Sequence, residues 1–151
     1  MHIIRQAEIG DLERIAAFLT NAEVTVEGLQ EWLDYFLLME AEADQTLIGT
    51  IGIEPFGKTG LLRSMVLSKG NVEDILFLIQ QALKLAKDKD LDAIYCKVHN
   101  PHSMQLFRLL GFQAIEEENI PAAMKESNTV KNVYTVDKSH FMYIPMNSVD
   151  K

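Results

Sequence analysis

Cysteine is nearly missing from this sequence. Cys96 is the only one among 151 residues, which excludes a disulfide framework and a cysteine-based zinc site. No apolar run reaches the roughly 18 residues that a membrane span requires. The opening residues, Met1-His2-Ile3-Ile4-Arg5-Gln6, carry no basic segment leading into an apolar one, so no secretory leader is expected. A concentrated basic face is also missing: the formal charge is −8, and the lysines are scattered, mostly beside acids. That excludes a general nucleic-acid partner, which needs such a face against the phosphates. Repeats, low-complexity runs and Pro/Gly/Ser-rich linkers are absent too, so residues 1–151 read as one domain. Together these absences suit a reducing cytoplasm.

What is present is the composition of a globular protein. The chain is 48% hydrophobic and 24% charged, long enough to bury one substantial core. His2 to Ala7 predicts a short strand. Asp11, as N-cap or first-turn acid, then opens a helix whose apolar positions are Leu12, Ile15, Ala16 and Leu19. Gly28 to Asp34 predicts a second, short helix. Phe36 to Glu42 and Leu47 to Phe56 form a hairpin across the polar turn 43–46. After a loop punctuated by Pro55, Gly57 and Gly60, Leu61 to Leu67 reads as a third apolar strand of this meander.

The longest helix runs from Asn71 to about Lys89, with Ile75, Leu78, Ile79, Ala82, Leu83 and Ala86 on one stripe. Asn71 is its predicted N-cap, Glu73 and Asp74 complement the dipole, and Lys84, Lys87 and Lys89 crowd the other end. A strand at Asp92–His99 and a helix at Pro101–Leu110 follow, the helix stopped by Gly111. Then come a strand at Gln113–Glu117, a short helix at Ile120–Glu126 with Pro121 in its first turn, and a closing strand at Phe141–Met146. This order predicts an α/β (α+β) fold with a mixed, mostly antiparallel sheet and helices on both faces.

One stretch carries more than pattern. Asn100-Pro-His-Ser-Met-Gln-Leu-Phe-Arg-Leu-Leu-Gly-Phe112 resembles the fourth-helix motif of the GNAT superfamily of N-acetyltransferases, with Asn100, Ser103, Leu106, Gly111 and Phe112 in register. Thr25-Val-Glu-Gly-Leu, Ile53-Glu-Pro-Phe-Gly57, Leu61-Leu-Arg-Ser-Met-Val66, and Gly111-Phe-Gln-Ala-Ile through Ile120-Pro-Ala-Ala123 resemble one GNAT branch. That branch includes the arsenic-resistance and phosphinothricin-type enzymes, which acetylate amino acids and amino-acid-like toxins.

The resemblance implies a sheet splayed between Leu62–Leu67 and Ala93–Val98, and acetyl-CoA as cosubstrate. Pantetheine would enter the gap beside Met65, Val66 and Leu67, where an amide would polarise the thioester carbonyl. Lys69, Gly70, Asn71 and Val72 would hold the diphosphate, and Asn100, Phe107 and Arg108 would border the cleft. Two departures are visible. The usual Gln/Arg-x-x-Gly-x-Gly/Ala loop is replaced by Leu67-Ser-Lys-Gly-Asn-Val-Glu-Asp74, which has one glycine and two carboxylates in the first helical turn. Phe107 stands where many GNAT enzymes carry a proton-donating tyrosine, and phenylalanine has no proton to give.

For the acceptor, Arg63 in an apolar strand reads either as the partner of a substrate carboxylate or as half of a structural pair with a glutamate. Glu54, at the end of the preceding strand, reads as a general base for the substrate ammonium or as an exposed strand-end carboxylate. Glu27 is a weaker candidate for contact with the substrate amine. Trp32 and Tyr35 read as packing residues, Cys96 as core, and Glu116–Glu118 as a solvated strand end. No metal is expected, because His99 and His102 lack a companion cluster and His2 and His140 have no visible partner. Two function classes follow. One is an N-acetyltransferase for a small amine, an amino acid or an analogue; the other is a GNAT-fold module that binds a ligand or partner without turnover. Assembly as a homodimer is compatible with either.

Overall fold

The computed structural model describes residues 2–68, 70–98, 101–126 and 140–146. Within these, seven strands form one sheet in the order β1-β2-β3-β4-β5-β7-β6. The strands are β1 (His2–Gln6), β2 (Phe36–Ala41), β3 (Leu47–Phe56), β4 (Thr59–Leu67), β5 (Ala93–Val98), β6 (Gln113–Ile115) and β7 (His140–Pro145). Every neighbouring pair is antiparallel except β4 and β5. The parallel pair is joined through α2 (Val72–Asp88), the crossover such a pair requires. The other helices are α1 (Leu12–Asn21), α3 (Pro101–Leu109) and α4 (Ala122–Lys125), with a 3-10 segment at Leu29–Tyr35. The mixed sheet with helices on both faces is as the sequence predicts.

Period-2 alternation divides the core. Leu37, Met39, Ile51, Ile53, Ile94 and Cys96 point to one face and pack with Leu78, Ile79, Ala82, Leu85 and Ala86 of α2, and with Phe107 of α3. Phe36 and Leu38 point the other way, onto Ile15 and Leu19 of α1 and onto Leu29, Trp32 and Leu33. Leu61, Tyr95 and Phe141 meet Ile120 and Met124 near α4. Each large apolar side chain contributes about 1.5–3 kcal/mol on leaving water, which outweighs the weak intrinsic stability of isolated helices.

An ion network ties α1 to the outer strands. Arg5 donates to both oxygens of Asp11 at 2.9 Å and to both oxygens of Glu40 at 3.1 Å, and Arg14 donates to Glu40 at 2.8 Å. Asp11 is the N-cap of α1 and the first-turn acid of the 3-10 turn before it, as the sequence predicts. Its side chain accepts from the Glu8 N–H and from Arg5, and makes no capping bond to α1.

The differences from expectation are local. The loop expected after Pro55 is a two-residue turn at Gly57-Lys58, because β3 continues to Phe56 and β4 begins at Thr59; Gly57 supplies the positive φ of 65°. Glu54 consequently lies within β3 rather than at its end. Pro121 precedes α4 as its N-cap, with an extended ψ of 140°, instead of occupying the first turn. His99 lies outside the described residues, and β5 is followed to Val98.

Candidate active site

The sheet opens between its two parallel strands. β4 and β5 pair at Thr59–Ala93, Gly60–Ile94 and Leu61–Tyr95, and among the described residues the ladder stops there, although β4 runs on to Leu67 and β5 to Val98. Main-chain groups on the inner edge of Leu62–Leu67 are thus left without a strand partner on that side. An apolar sheet does not leave such groups unpaired at no cost, so the opening suits an extended ligand that bonds along a strand edge.

A bulge sits at the mouth of this opening. Thr50 faces Val66 and Gly52 faces Arg63, which leaves Ser64 and Met65 together opposite Ile51. Ser64 adopts φ 60°, a left-handed conformation that serine enters at a cost of about 1–2 kcal/mol. The Thr50 hydroxyl donates to the Ser64 carbonyl at 2.7 Å and helps hold that conformation. The bulge buries Ser64 and turns Met65 outward, 40% exposed, while Val66 packs towards α1 and Leu67 towards α2.

Arg63 and Glu54, separate candidates in the sequence, meet. Arg63 Nη1 donates to Glu54 Oε1 in a short ion pair whose side chains are 13% and 25% exposed. The guanidinium also lies over the Trp32 ring, 5.3 Å from its centroid. Trp32 is held in turn by Phe36, at 5.6 Å between centroids, and by Gly52, where a Cβ would stand 2.6 Å from Phe36 Cδ2 and overlap the Trp32 ring. The pairing with a glutamate is therefore real, and Arg63 lies two residues beyond the last β4–β5 rung. Among the described residues Glu54 is the only hydrogen-bond partner of Arg63, so most of its five N–H donors are unspent. Glu27 is exposed in the turn before Gly28, its N–H donating to Thr25 Oγ1 at 3.1 Å.

At the head of α2, Asn71 is the N-cap, as predicted. Its side chain accepts from the Asp74 N–H, and Asp74 Oδ2 accepts from the Asn71 N–H, both at 3.1 Å. His2 Nδ1 stands 3.2 Å from the other oxygen, Asp74 Oδ1, joining the first strand to this cap. Sequence reasoning missed that contact, since 72 positions separate the two residues. Gly70 and Val72 are exposed here, Val72 at 58%. Lys69 and Asn100, both expected in the site, lie outside the described residues.

On α3, Phe107 is buried and meets Phe112 edge-on, with 5.0 Å between centroids; Arg108 beside it is exposed. Gly111 ends the helix with φ 104°. Cys96 is core as expected, and burial pushes its thiol far up, which makes it inert as a nucleophile at neutral pH. Tyr95, on the last rung of the β4–β5 ladder, stacks on Tyr143 at 5.6 Å, and burial followed by that neighbour raises its phenol above the ordinary value. Among the described residues no group of three or more His, Cys, Asp or Glu side chains is arranged to hold a metal ion, and no helix is long and apolar enough to cross a membrane.

A sheet opened between β4 and β5, with α2 crossing over and α3 following β5, is the GNAT acetyltransferase fold, and solved structures bear this out. N-acetylglutamate synthase from Neisseria gonorrhoeae, complexed with coenzyme A and N-acetyl-glutamate, superposes with a TM-score of 0.78 over 97% of this chain, at 20% identity. The chain spans 35% of that protein's length. A GNAT-family acetyltransferase from Staphylococcus aureus Mu50 gives a TM-score of 0.70 at 18% identity, covering 97% of this chain and 100% of that one. By sequence, an uncharacterized Bacillus subtilis (strain 168) protein, YwlB, is 28% identical over 127 residues, 83% of this chain and 84% of its own length. No family model matches the sequence.

Proposed function

We propose that this protein moves an acetyl group from acetyl-CoA to the amine of a small molecule, an amino acid or an analogue of one, in the cytoplasm and by direct transfer in a ternary complex. The observation that carries this reading is the ladder break beyond Leu61–Tyr95, which leaves the edge of β4 free for a pantetheine arm. The Neisseria structure, solved with coenzyme A and N-acetyl-glutamate, supports it. Met65, Val66 and Leu67 would line the arm, an amide in that run would polarise the thioester carbonyl, and Phe107, Arg108 and Asn100 would flank the cleft.

On the acceptor side, the unspent donors of Arg63 suit a carboxylate, and Glu54 suits the neighbouring ammonium. Glu54 takes a proton from that ammonium; the free amine attacks the thioester carbonyl and forms the carbon–nitrogen bond; the carbon–sulfur bond breaks, the thiolate leaves, and the nitrogen's second proton passes to water. Water supplies the thiolate's proton, because Phe107 has none. The second reading, a GNAT-fold module that binds without turnover, draws on the self-capped head of α2.

A thermal shift with acetyl-CoA separates the two. A ligand at about 100 times its dissociation constant stabilises a protein by roughly 2.7 kcal/mol, so a rise in Tm followed by thiol release on addition of an amino acid is expected. No shift with millimolar acetyl-CoA overturns the transferase.

A further inference from the structure

The head of α2 already holds an anion, and it is the chain's own. Helix starts leave main-chain N–H groups without partners, and these together with the dipole are what a diphosphate exploits. Here the N–H of Asn71 is spent on Asp74 Oδ2, and that of Asp74 on Asn71 Oδ1, both at 3.1 Å. Gly70, with φ 132°, is the sole glycine of the connection, and its bare side is what would admit a phosphate. That space is filled: a Cβ on Gly70 would stand 2.6 Å from Asp74 Oδ2. His2, reaching from β1, holds the carboxylate's other oxygen at 3.2 Å, so the group is anchored from two sides. A diphosphate approaching this point meets an occupied N–H and a like charge.

We propose that Asp74 is a donor-specificity residue: by taking the Asn71 N–H and the space beside Gly70 it makes the thioester donor depend on its pantetheine arm, with little contribution from the diphosphate. The donor's identity rests on the acetyl-transfer reading above; Asp74's hold on the helix start does not. Glu73 supplies the internal control. It is exposed in the same turn, carries the same charge, and makes no hydrogen bond among the described residues.

The test is calorimetric titration of CoA and of pantetheine into the wild type, Asp74→Ala and Glu73→Gln, alongside melting of each protein in inorganic pyrophosphate against its own baseline. The wild type should bind CoA and pantetheine within about threefold, since a diphosphate that gains no charge-assisted bond from the Asn71 N–H adds little. Asp74→Ala should tighten CoA about tenfold or more and leave pantetheine unchanged, because it frees an N–H for a charge-assisted bond. Glu73→Gln removes only a screened surface charge and should change CoA less than about threefold. Pyrophosphate should raise the Tm of Asp74→Ala and not that of the wild type. Tenfold preference of the wild type for CoA over pantetheine overturns the proposal and needs no variant. So does an Asp74→Ala protein that gains nothing from pyrophosphate, or a Glu73→Gln protein that matches it. If pyrophosphate stabilises Asp74→Ala while neither CoA nor pantetheine binds any version, Asp74's hold on the helix start stands and the acetyl-transfer reading falls.

Discussion

Arg63 offers five N–H donors from a side chain that is 13% exposed, and among the described residues only Glu54 takes one of them. A guanidinium this far from water is stable only if anions meet it, and one monodentate partner leaves room for another. Arg63→Ala is therefore expected to raise the acceptor KM by ten- to a hundredfold, the equivalent of about 1.5–3 kcal/mol for a lost charge-assisted bond, with acetyl-CoA binding unchanged. Equal weakening of donor and acceptor would assign Arg63 to the scaffold. Phe107 poses the opposite problem. Its ring is 4% exposed against Phe112, so Phe107→Tyr inserts a hydroxyl into the core. Denaturant unfolding should show a loss of about 1–3 kcal/mol, the cost of an unsatisfied buried polar group. No loss would mean that the added hydroxyl finds a hydrogen-bond partner.

At the scale of elements, the bulge in β4 decides which residues face the opening, and its geometry makes a sharp forecast. Ser64 at φ 60° bears about 1–2 kcal/mol of strain; glycine would remove it but add about 0.5–1 kcal/mol of unfolded-state entropy. Ser64→Gly should thus be close to neutral, whereas Ser64→Val, branched at Cβ, should cost more than about 2 kcal/mol in the same unfolding assay. Gly52→Ala is expected to be destabilising by about 1–3 kcal/mol, because its new methyl overlaps Trp32 and Phe36 and pushes the 3-10 segment off the sheet. The strands, α2 and the opening were legible from the sequence because apolar period and family register repeat over many residues. The bulge was not, since one left-handed serine in an apolar run has no local signature. Nor was the His2–Asp74 contact, which only the folded arrangement of β1 beside α2 creates. Arg63 and Glu54 were each legible as a polar residue in an apolar strand, but their mutual pairing depends on the β3–β4 register.

For the molecule as a whole, the surface carries excess negative charge, yet the carboxylates that hold α1 to β1 and β2 are nearly buried and are balanced by two half-exposed arginines. Asp11 and Glu40 have side chains 11% and 9% exposed, with Arg5 between them and Arg14 alongside. The Arg5 hydrogen bond holds the Asp11 carboxyl below its ordinary value, against the opposing effect of burial. For Glu40 burial pushes upward, and the bonds from Arg5 and Arg14 outweigh it, so the net direction is again down. The Arg5 guanidinium, bonded to Asp11 and then Glu40, is raised and stays charged throughout. The sign of the pH dependence follows. Both carboxyls bind protons less readily folded than unfolded, so their stabilisation is fully present above the ordinary carboxylate range of about 4 and is lost as pH falls through the lower folded values. Stability measured by denaturant should therefore be flat from about pH 7 to 5 and fall steeply below about 4. Arg5→Met should cost about 1–3 kcal/mol at neutral pH, less than a fully buried pair because the Arg5 side chain is 35% exposed and Arg14 remains to face Glu40. The same variant should show a shallower decline in acid, since protonating Asp11 and Glu40 then relieves their repulsion instead of breaking a bond. An acid limb as steep as that of the wild type would place the source of acid unfolding elsewhere in the molecule.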